Sequence, residues 1–268
     1  MKISCTTLCC PEWTLETVLA RFAEFGYDAV DFRGLGTESD LWKVEPFASS
    51  PQRAADRIAA AGLKVSALSS SVRMYCPDAA ERAKGLDELR QYARLCRILG
   101  APMIRVFGGA MKGAAVPAAI GASVEALHEM ADAVGDDIAL AVETHDDWVA
   151  TGPLAEVIGR VGRPNVGVLW DLHHPFRMAG ESPRRTFDNI GRQTIAVHLK
   201  DSRPTGGGKY EYCLPGEGDV PLAEMVALLA GGGYDGYLTL EWEKRWHPEI
   251  AGPEVALPAY ARFMKRLS

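Results

Sequence analysis

Nowhere in the 268 residues does an apolar run approach the roughly 18 residues that a membrane helix needs. The opening MKISCTTLCCPEW has neither a charged n-region with an apolar h-region behind it nor a cleavage site. A cytoplasmic protein without a membrane partner is therefore expected. Clustered Lys and Arg are also missing: 29 basic residues stand against 35 acidic ones, for a net charge of -6, and the pair Lys244-Arg245 is too small to offset this. Counterion release at phosphates needs such clusters, so no nucleic-acid partner is expected. The six cysteines, at positions 5, 9, 10, 76, 96 and 213, form no CxxC pair or repeated zinc pattern and read as reduced thiols. Those at 5, 9 and 10 are assigned to packing. Gly108-Gly109 and Gly206 to Gly208 lack the residues of a phosphate loop, which leaves a phosphorylated substrate open. No linker or charge run divides the chain, so 1–268 reads as a single domain.

What is present is ordinary in amount and regular in order. Hydrophobic residues make up 47% and charged residues 24%, values of a globular chain that argue against disorder. Eight apolar, β-rich runs predict strands at Lys2 to Cys5, Ala29 to Phe32, Val65 to Leu68, Met103 to Phe107, Ile138 to Val142, Val166 to Trp170, Thr194 to Leu199 and Tyr237 to Leu240. Between them, stretches such as TLETVLARFAEFG and IGASVEALHEMADAVG carry apolar residues at three- and four-residue spacing and close on Gly. A shorter sixth helix is expected around SPRRTFDNIG, and EVALPAYARFMKRL is expected as the last, kinked or started late by Pro258. The stretch GGGKY, followed by LPGEGDVP, reads as a long loop. Strict alternation over this length favours an α/β single (β/α)8 TIM barrel over a doubly wound sheet.

Four of the runs end on acid or imidazole: Glu143 after IALAV, Asp171 after VGVLW, His198 after TIAV and Glu241 after GYLTL. In a barrel all strand C-termini ring one pocket, which would bring the four together. Three carboxylates and an imidazole form a set of hard and borderline ligands for one divalent metal ion, Mn²⁺ first, with Co²⁺, Mg²⁺ or Zn²⁺ as alternatives. Around them His145 and His174 are candidate substrate contacts, with His173 a weaker one, and Arg33 and Arg105 are candidate contacts for a substrate oxygen or carboxylate. Lys200 and Asp201 are candidates to orient the His198 ring or meet substrate hydroxyls. Trp13, Phe107, Trp170, Trp242 and Trp246 offer either stacking faces or packing.

Glu143, the Asp-x-x-His of Asp171 to His174, the His-x-x-Asp of His198 to Asp201, GEGD at Gly216 to Asp219 and YDGYLTLE ending on Glu241 together resemble the xylose isomerase-like TIM barrel superfamily, in its sugar phosphate isomerase/epimerase branch. The resemblance covers essentially the whole chain. It implies metal ligation by Glu143, Asp171, His198 and Glu241, contact of His174 with a substrate oxygen, a small-molecule carbohydrate substrate, and room for a homo-oligomer. It further implies a metal-dependent isomerase or epimerase in which Glu143 and Glu241 act as the acid/base pair, through a metal-stabilised enediolate. Two positions depart from ketose 3-epimerases, which carry a second Glu where this chain has Val149 and an Arg where it has Pro204, with Arg203 one position away. Glu-x-His at Glu143 to His145 looks more like relatives that eliminate water or an aglycone, the inosose and 3-dehydroshikimate dehydratases and the 3-keto-glycoside lyases. There His145 or His174 would serve as the acid. A metal-dependent sugar-binding barrel without catalysis is the third reading.

Overall fold

A computed structural model describes residues 1–267. Its elements, in order, are β1 (Lys2–Thr6), α1 (Leu15–Glu24), β2 (Ala29–Phe32), α2 (Pro51–Ala60), β3 (Lys64–Arg73), α3 (Ala79–Leu99), β4 (Met103–Phe107), α4 (Val116–Val134) and β5 (Ala139–Glu143). There follow α5 (Thr151–Val161), β6 (Val166–Asp171), α6 (His173–Ala179), α7 (Pro183–Ile190), β7 (Thr194–Leu199), β8 (Asp201–Gly206), β9 (Lys209–Cys213), α8 (Leu222–Gly231), β10 (Tyr237–Leu240) and α9 (Pro253–Leu267). Strands β1 to β7 and β10 close into one parallel barrel, with β10 pairing to β7 on one side and to β1 on the other. All eight expected strands are barrel strands. Among the described residues no helix is long and apolar enough to cross a membrane.

Strand alternation sorts the side chains between two compartments. In β6, Val166, Val168 and Trp170 join the core beneath the helices, while Gly167, Leu169 and Asp171 take the opposite face. Gly167 is confined there, since a Cβ would come within 2.8 Å of the Gln193 carbonyl oxygen. The helices answer with apolar stripes. In α1 the buried Leu15, Val18, Leu19 and Phe22 recur at helical spacing, and Thr14 caps the first turn by accepting from the Thr17 N–H. Each such side chain contributes about 1.5–3 kcal/mol on full burial.

The structure corrects the reading of three segments. The GGGKY stretch from Gly206, expected as the start of a long loop, is the turn and the first residues of the second strand of an antiparallel hairpin, β8 with β9. Gly206, Gly207 and Gly208 turn it with φ of 94°, 58° and 78°, a left-handed run that glycine adopts without steric cost. Two helices, α6 and α7, follow β6 where one was expected. The last helix starts at Pro253 and continues through Pro258.

Candidate metal and substrate site

The ends of four strands put Glu143, Asp171, His198 and Glu241 in one cluster, with one potential ligand atom from each lying within 4.8 Å of all the others. His198 Nδ1 is 3.3 Å from Glu241 Oε1 and 3.7 Å from Glu143 Oε1. All four are buried. Each glutamate leans its second oxygen against a cation: Glu143 Oε2 lies 3.4 Å from Arg105 Nε, and Glu241 Oε2 accepts from Lys200 Nζ. Lys200 also donates to Asp171 Oδ2 at 2.6 Å and lies 3.0 Å from Glu243.

Whether these residues fit a divalent ion is decided by what they lack. Both carboxylate oxygens of Glu143 and Nδ1 of His198 are buried with no hydrogen-bond partner. An unsatisfied buried polar group costs about 1–3 kcal/mol, more when charged, and Glu143 Oε1 and His198 Nδ1 face each other at 3.7 Å. A cation between them would satisfy both, and an oxygen-rich set with one imidazole suits Mn²⁺, Mg²⁺, Co²⁺ or Zn²⁺. The residues present fit the ion.

The ring of His198 is set from behind. Its Nε2 is 2.9 Å from Asp31 Oδ2, and Asp31 is held in turn by the Ser69 hydroxyl, which donates to Oδ1 at 2.8 Å. This is the carboxylate–histidine arrangement that directs the opposite ring nitrogen toward a metal. Of Lys200 and Asp201, the sequence candidates for orienting the ring, neither bonds it: Lys200 donates to the neighbouring cluster members Asp171 and Glu241. Asp201 accepts backbone N–H groups from Ser202, Gly216, Gly218 and Val220 and so ties down the loop behind the hairpin. Gly218 is required there, because a Cβ would run into that carboxylate. Asp31 and Ser69 were not singled out from the sequence, although an Asp inside the buried run AVDF is itself a signal.

Asp171 explains the Asp-x-x-His spacing. Its Oδ1 accepts the otherwise unpaired N–H groups of His173 and His174 at the start of α6, at 2.8 and 3.1 Å. His174 Nδ1 donates to the Thr144 carbonyl at 3.0 Å, which can only accept, so the proton sits on Nδ1 and Nε2 keeps its lone pair. His145 packs its ring 5.0 Å from that of His174 and 4.7 Å from Phe107, with Nδ1 3.1 Å from Asp146 Oδ1. Asp146 adopts φ 53° and accepts from the Gly109 N–H, locking the turn after β5 onto the turn after β4. His173 meets Ser202 Oγ at 2.9 Å and packs under Tyr210 and Tyr212, so the hairpin stands over this part of the rim.

Arg203 is not brought to the cluster. Its side chain is 48% exposed on the hairpin, beside Glu211 and Glu217, and so does not replace the arginine expected at Pro204. Trp170 and Trp242 belong to the core, Trp13 is partly buried against it, and Trp246 is exposed; Phe107 lies beside the cluster, under Arg105.

Charge follows geometry. Burial pushes the Glu143 carboxyl up and Glu241 adds to it, yet Arg105 and His198 prevail and hold it at about 2. Glu241, against the same burial, is held well below the usual carboxylate range by Lys200 and His198. Burial disfavours charge on His198, but Glu241, Asp31 and Glu143 raise it well above an ordinary imidazole. Burial, then Lys200, pushes His173 down to about 2, and burial also lowers His174. His145 goes the other way: burial lowers it, but Asp146 and Glu143 raise it further.

A closed eight-stranded parallel barrel whose strand C-termini gather three carboxylates and an imidazole that could hold a metal ion defines a class of (β/α)8 proteins. The chain belongs to the xylose isomerase-like TIM barrel family, whose model matches residues 19–267. It is 24% identical over 244 residues to fructoselysine 3-epimerase of Escherichia coli O157:H7, a match that spans 82% of each chain. Among solved structures, it superposes on the IolI protein with a bound zinc atom at a TM-score of 0.86 and 18% identity, covering 100% of this chain and 98% of the other. The probable 3-DHS dehydratase AsbF of Bacillus anthracis gives 0.80 and 17%, covering 99% of both chains.

Proposed function

We propose that the protein is a divalent-metal-dependent sugar isomerase or epimerase acting on a ketose or related keto-sugar, with Mn²⁺ as the working ion. The observation that carries this reading is the buried cluster of Glu143, Asp171, His198 and Glu241 with its unpartnered oxygens and nitrogen. The likeness to fructoselysine 3-epimerase supports it. A divalent ion held there would polarise a carbonyl and its neighbouring hydroxyl and so acidify the C–H bond between them. Glu143 and Glu241 act as the pair of bases. One carboxylate takes the proton from carbon; the other, protonated by exchange with solvent, returns one to the opposite face or to the adjacent carbon. Arg105 and Lys200 keep both carboxylates ionised, so a proton accepted by either is held only transiently. His174, with Nε2 free to accept, orients a substrate hydroxyl.

One observation favours a second reading. His145 lies beside His174 and Glu143, and Asp146 helps it retain its proton, as an acid for a departing oxygen must. In that dehydratase or lyase scheme a glutamate removes the proton from carbon, the C–O bond breaks with its electrons going to oxygen, and His145 protonates that oxygen. The likeness to the dehydratase fold is compatible with it.

NMR in D₂O of the Mn²⁺-loaded protein, with the ion removed after reaction, tests both. The panel is free ketoses, ketose phosphates, keto-cyclitols and 3-keto-glycosides. Deuterium at the carbon next to the carbonyl, with a new isomer and no loss of mass, is the expected result. Loss of water or an aglycone with formation of an enone would establish the lyase reading, and no exchange with any member would reject both.

A further inference from the structure

Two arginines stand beside the cluster with donors that the protein does not use. Arg105, in β4, is 1% exposed, yet its guanidinium donates no hydrogen bond among the described residues, and its Nε and Nη1 are buried without partners. Among the described residues, the one carboxylate within ion-pair distance is Glu143, at 3.4 Å. Arg33, directly after β2, is 8% exposed, and among the described residues it has no carboxylate within ion-pair distance; it donates to Ser71 Oγ at 2.9 Å and weakly to the Ser39 carbonyl. Both guanidinium groups lie against the Phe107 ring, 3.8 and 5.9 Å from its centre. Thr7 fixes the base of Arg33 by accepting its backbone N–H and donating to the Gly34 carbonyl.

Burying a guanidinium without its hydrogen bonds or a full counter-charge is costly, and placing a second one over the same ring adds repulsion. An arrangement of this kind is completed by an anion that both forks can grip. We infer that the substrate carries a carboxylate, bound by Arg105 and Arg33, so that the natural substrate is a hydroxy-keto acid or acidic sugar rather than a neutral ketose. This rests on the sugar-enzyme reading of the same site and narrows it.

Position favours a carboxylate over a phosphate ester. Arg105 lies within 3.4 Å of a cluster glutamate, so the anion must sit next to the reacting carbons, where a carboxylate on the same carbon chain falls naturally. Phosphates in this fold are usually held after the last two barrel strands by loop backbone and a helix N-terminus, whereas these arginines rise from β2 and β4. The planar fork of Arg also matches the two oxygens of a carboxylate.

The test is calorimetric binding to Mn²⁺-loaded protein, which needs no turnover. The probes are 3-hydroxy-2-oxo acids of three to six carbons, the ketoses of the same lengths, and the phosphate monoesters of those ketoses. At least one acid is expected to bind about tenfold more tightly than its matched ketose and ketose phosphate, as a charge-assisted pair should. Arg33→Gln is expected to cut that preference by about threefold or more while leaving ketose binding in place, and Arg105→Gln to cut it at least as far, read as the ratio of acid to ketose affinity because Arg105 also stands against Glu143. Arg105→Lys, which keeps the charge and most of the volume, retains part of the preference and covers the case in which Arg105→Gln does not fold. Ketoses or phosphate esters that bind as well as the acids would overturn the inference, as would an acid preference that survives in the double Gln variant. If the protein holds metal and exchanges deuterium into ketoses but gains nothing from the acids, the inference fails alone. If it holds no divalent ion, the functional reading fails with it.

Discussion

The two halves of the barrel share one architecture and divide the work of the site. From β5 onward, each barrel strand ends at or next to a group of the ligand cluster: Glu143 closes β5, Asp171 closes β6, His198 is the penultimate residue of β7, and Glu241 follows β10. From β1 to β4 no strand supplies a member of that cluster. That half contributes Asp31 and Ser69, which hold the His198 ring, Arg105, which brings positive charge beside Glu143, and Arg33, which lies over the same Phe107 ring as Arg105. One half presents donor atoms, and the other fixes their posture and charge. The cluster thus needs the closed barrel, because His198 is held by a residue 167 positions away in sequence.

Substitutions that separate the halves should differ in size. The largest effect belongs to a cluster ligand: His198→Ala is expected to lose the ion and the activity together, with a fall in metal affinity beyond the roughly 10–100-fold typical of outer-shell changes. Elemental analysis after dialysis would show it, and a variant that still holds a full complement of ion would remove His198 from the site. Next comes Glu241→Gln, expected to keep part of its metal while turnover drops about 10²–10⁴-fold. A fully active Glu241→Gln enzyme would sink the two-base scheme. On the supporting half, Asp31→Ala should weaken metal binding by about 10–100-fold and Asp31→Asn by less, both with the ligand set intact. If Asp31→Ala bound metal like the parent, the division between the halves would collapse.

Acidity gives a fourth check. The pKa of His198 is raised in the protein, whereas its ligand form is neutral, so binding the ion must release a proton. Affinity is therefore expected to rise with pH and to fall as pH drops, and calorimetry in buffers of different ionisation enthalpy should record the released proton. The smallest effect lies outside the barrel strands. Gly218→Ala pushes a Cβ into the Asp201 carboxylate, and overpacking of this kind costs about 1–3 kcal/mol, visible as a lowered melting temperature.

The same division decides what the sequence made legible. Glu143, Asp171, His198 and Glu241 interrupt apolar runs at their ends, where a change from buried to polar is easy to see. The barrel followed from eight such runs in strict alternation with helices. Asp31 was missed because it sits inside a four-residue strand among Ala29, Val30 and Phe32, and its meaning depends on a pairing with β7 across the barrel axis. The hairpin was missed because Gly206 to Gly208 read as loop, while its strands, DSRPTG and KYEYC, are short and polar and include a proline. Arg203 looked usable by position alone; the hairpin carries it outward.

The most direct test of the metal centre is titration of Mn²⁺ into chelator-stripped protein, followed by pulsed electron paramagnetic resonance on the loaded form. One ion per chain, with a single imidazole nitrogen coupled to it, is the expected result. A protein that takes up no ion, or an ion without a coupled imidazole, would contradict the assignment of His198 and its three carboxylates as the centre of this site.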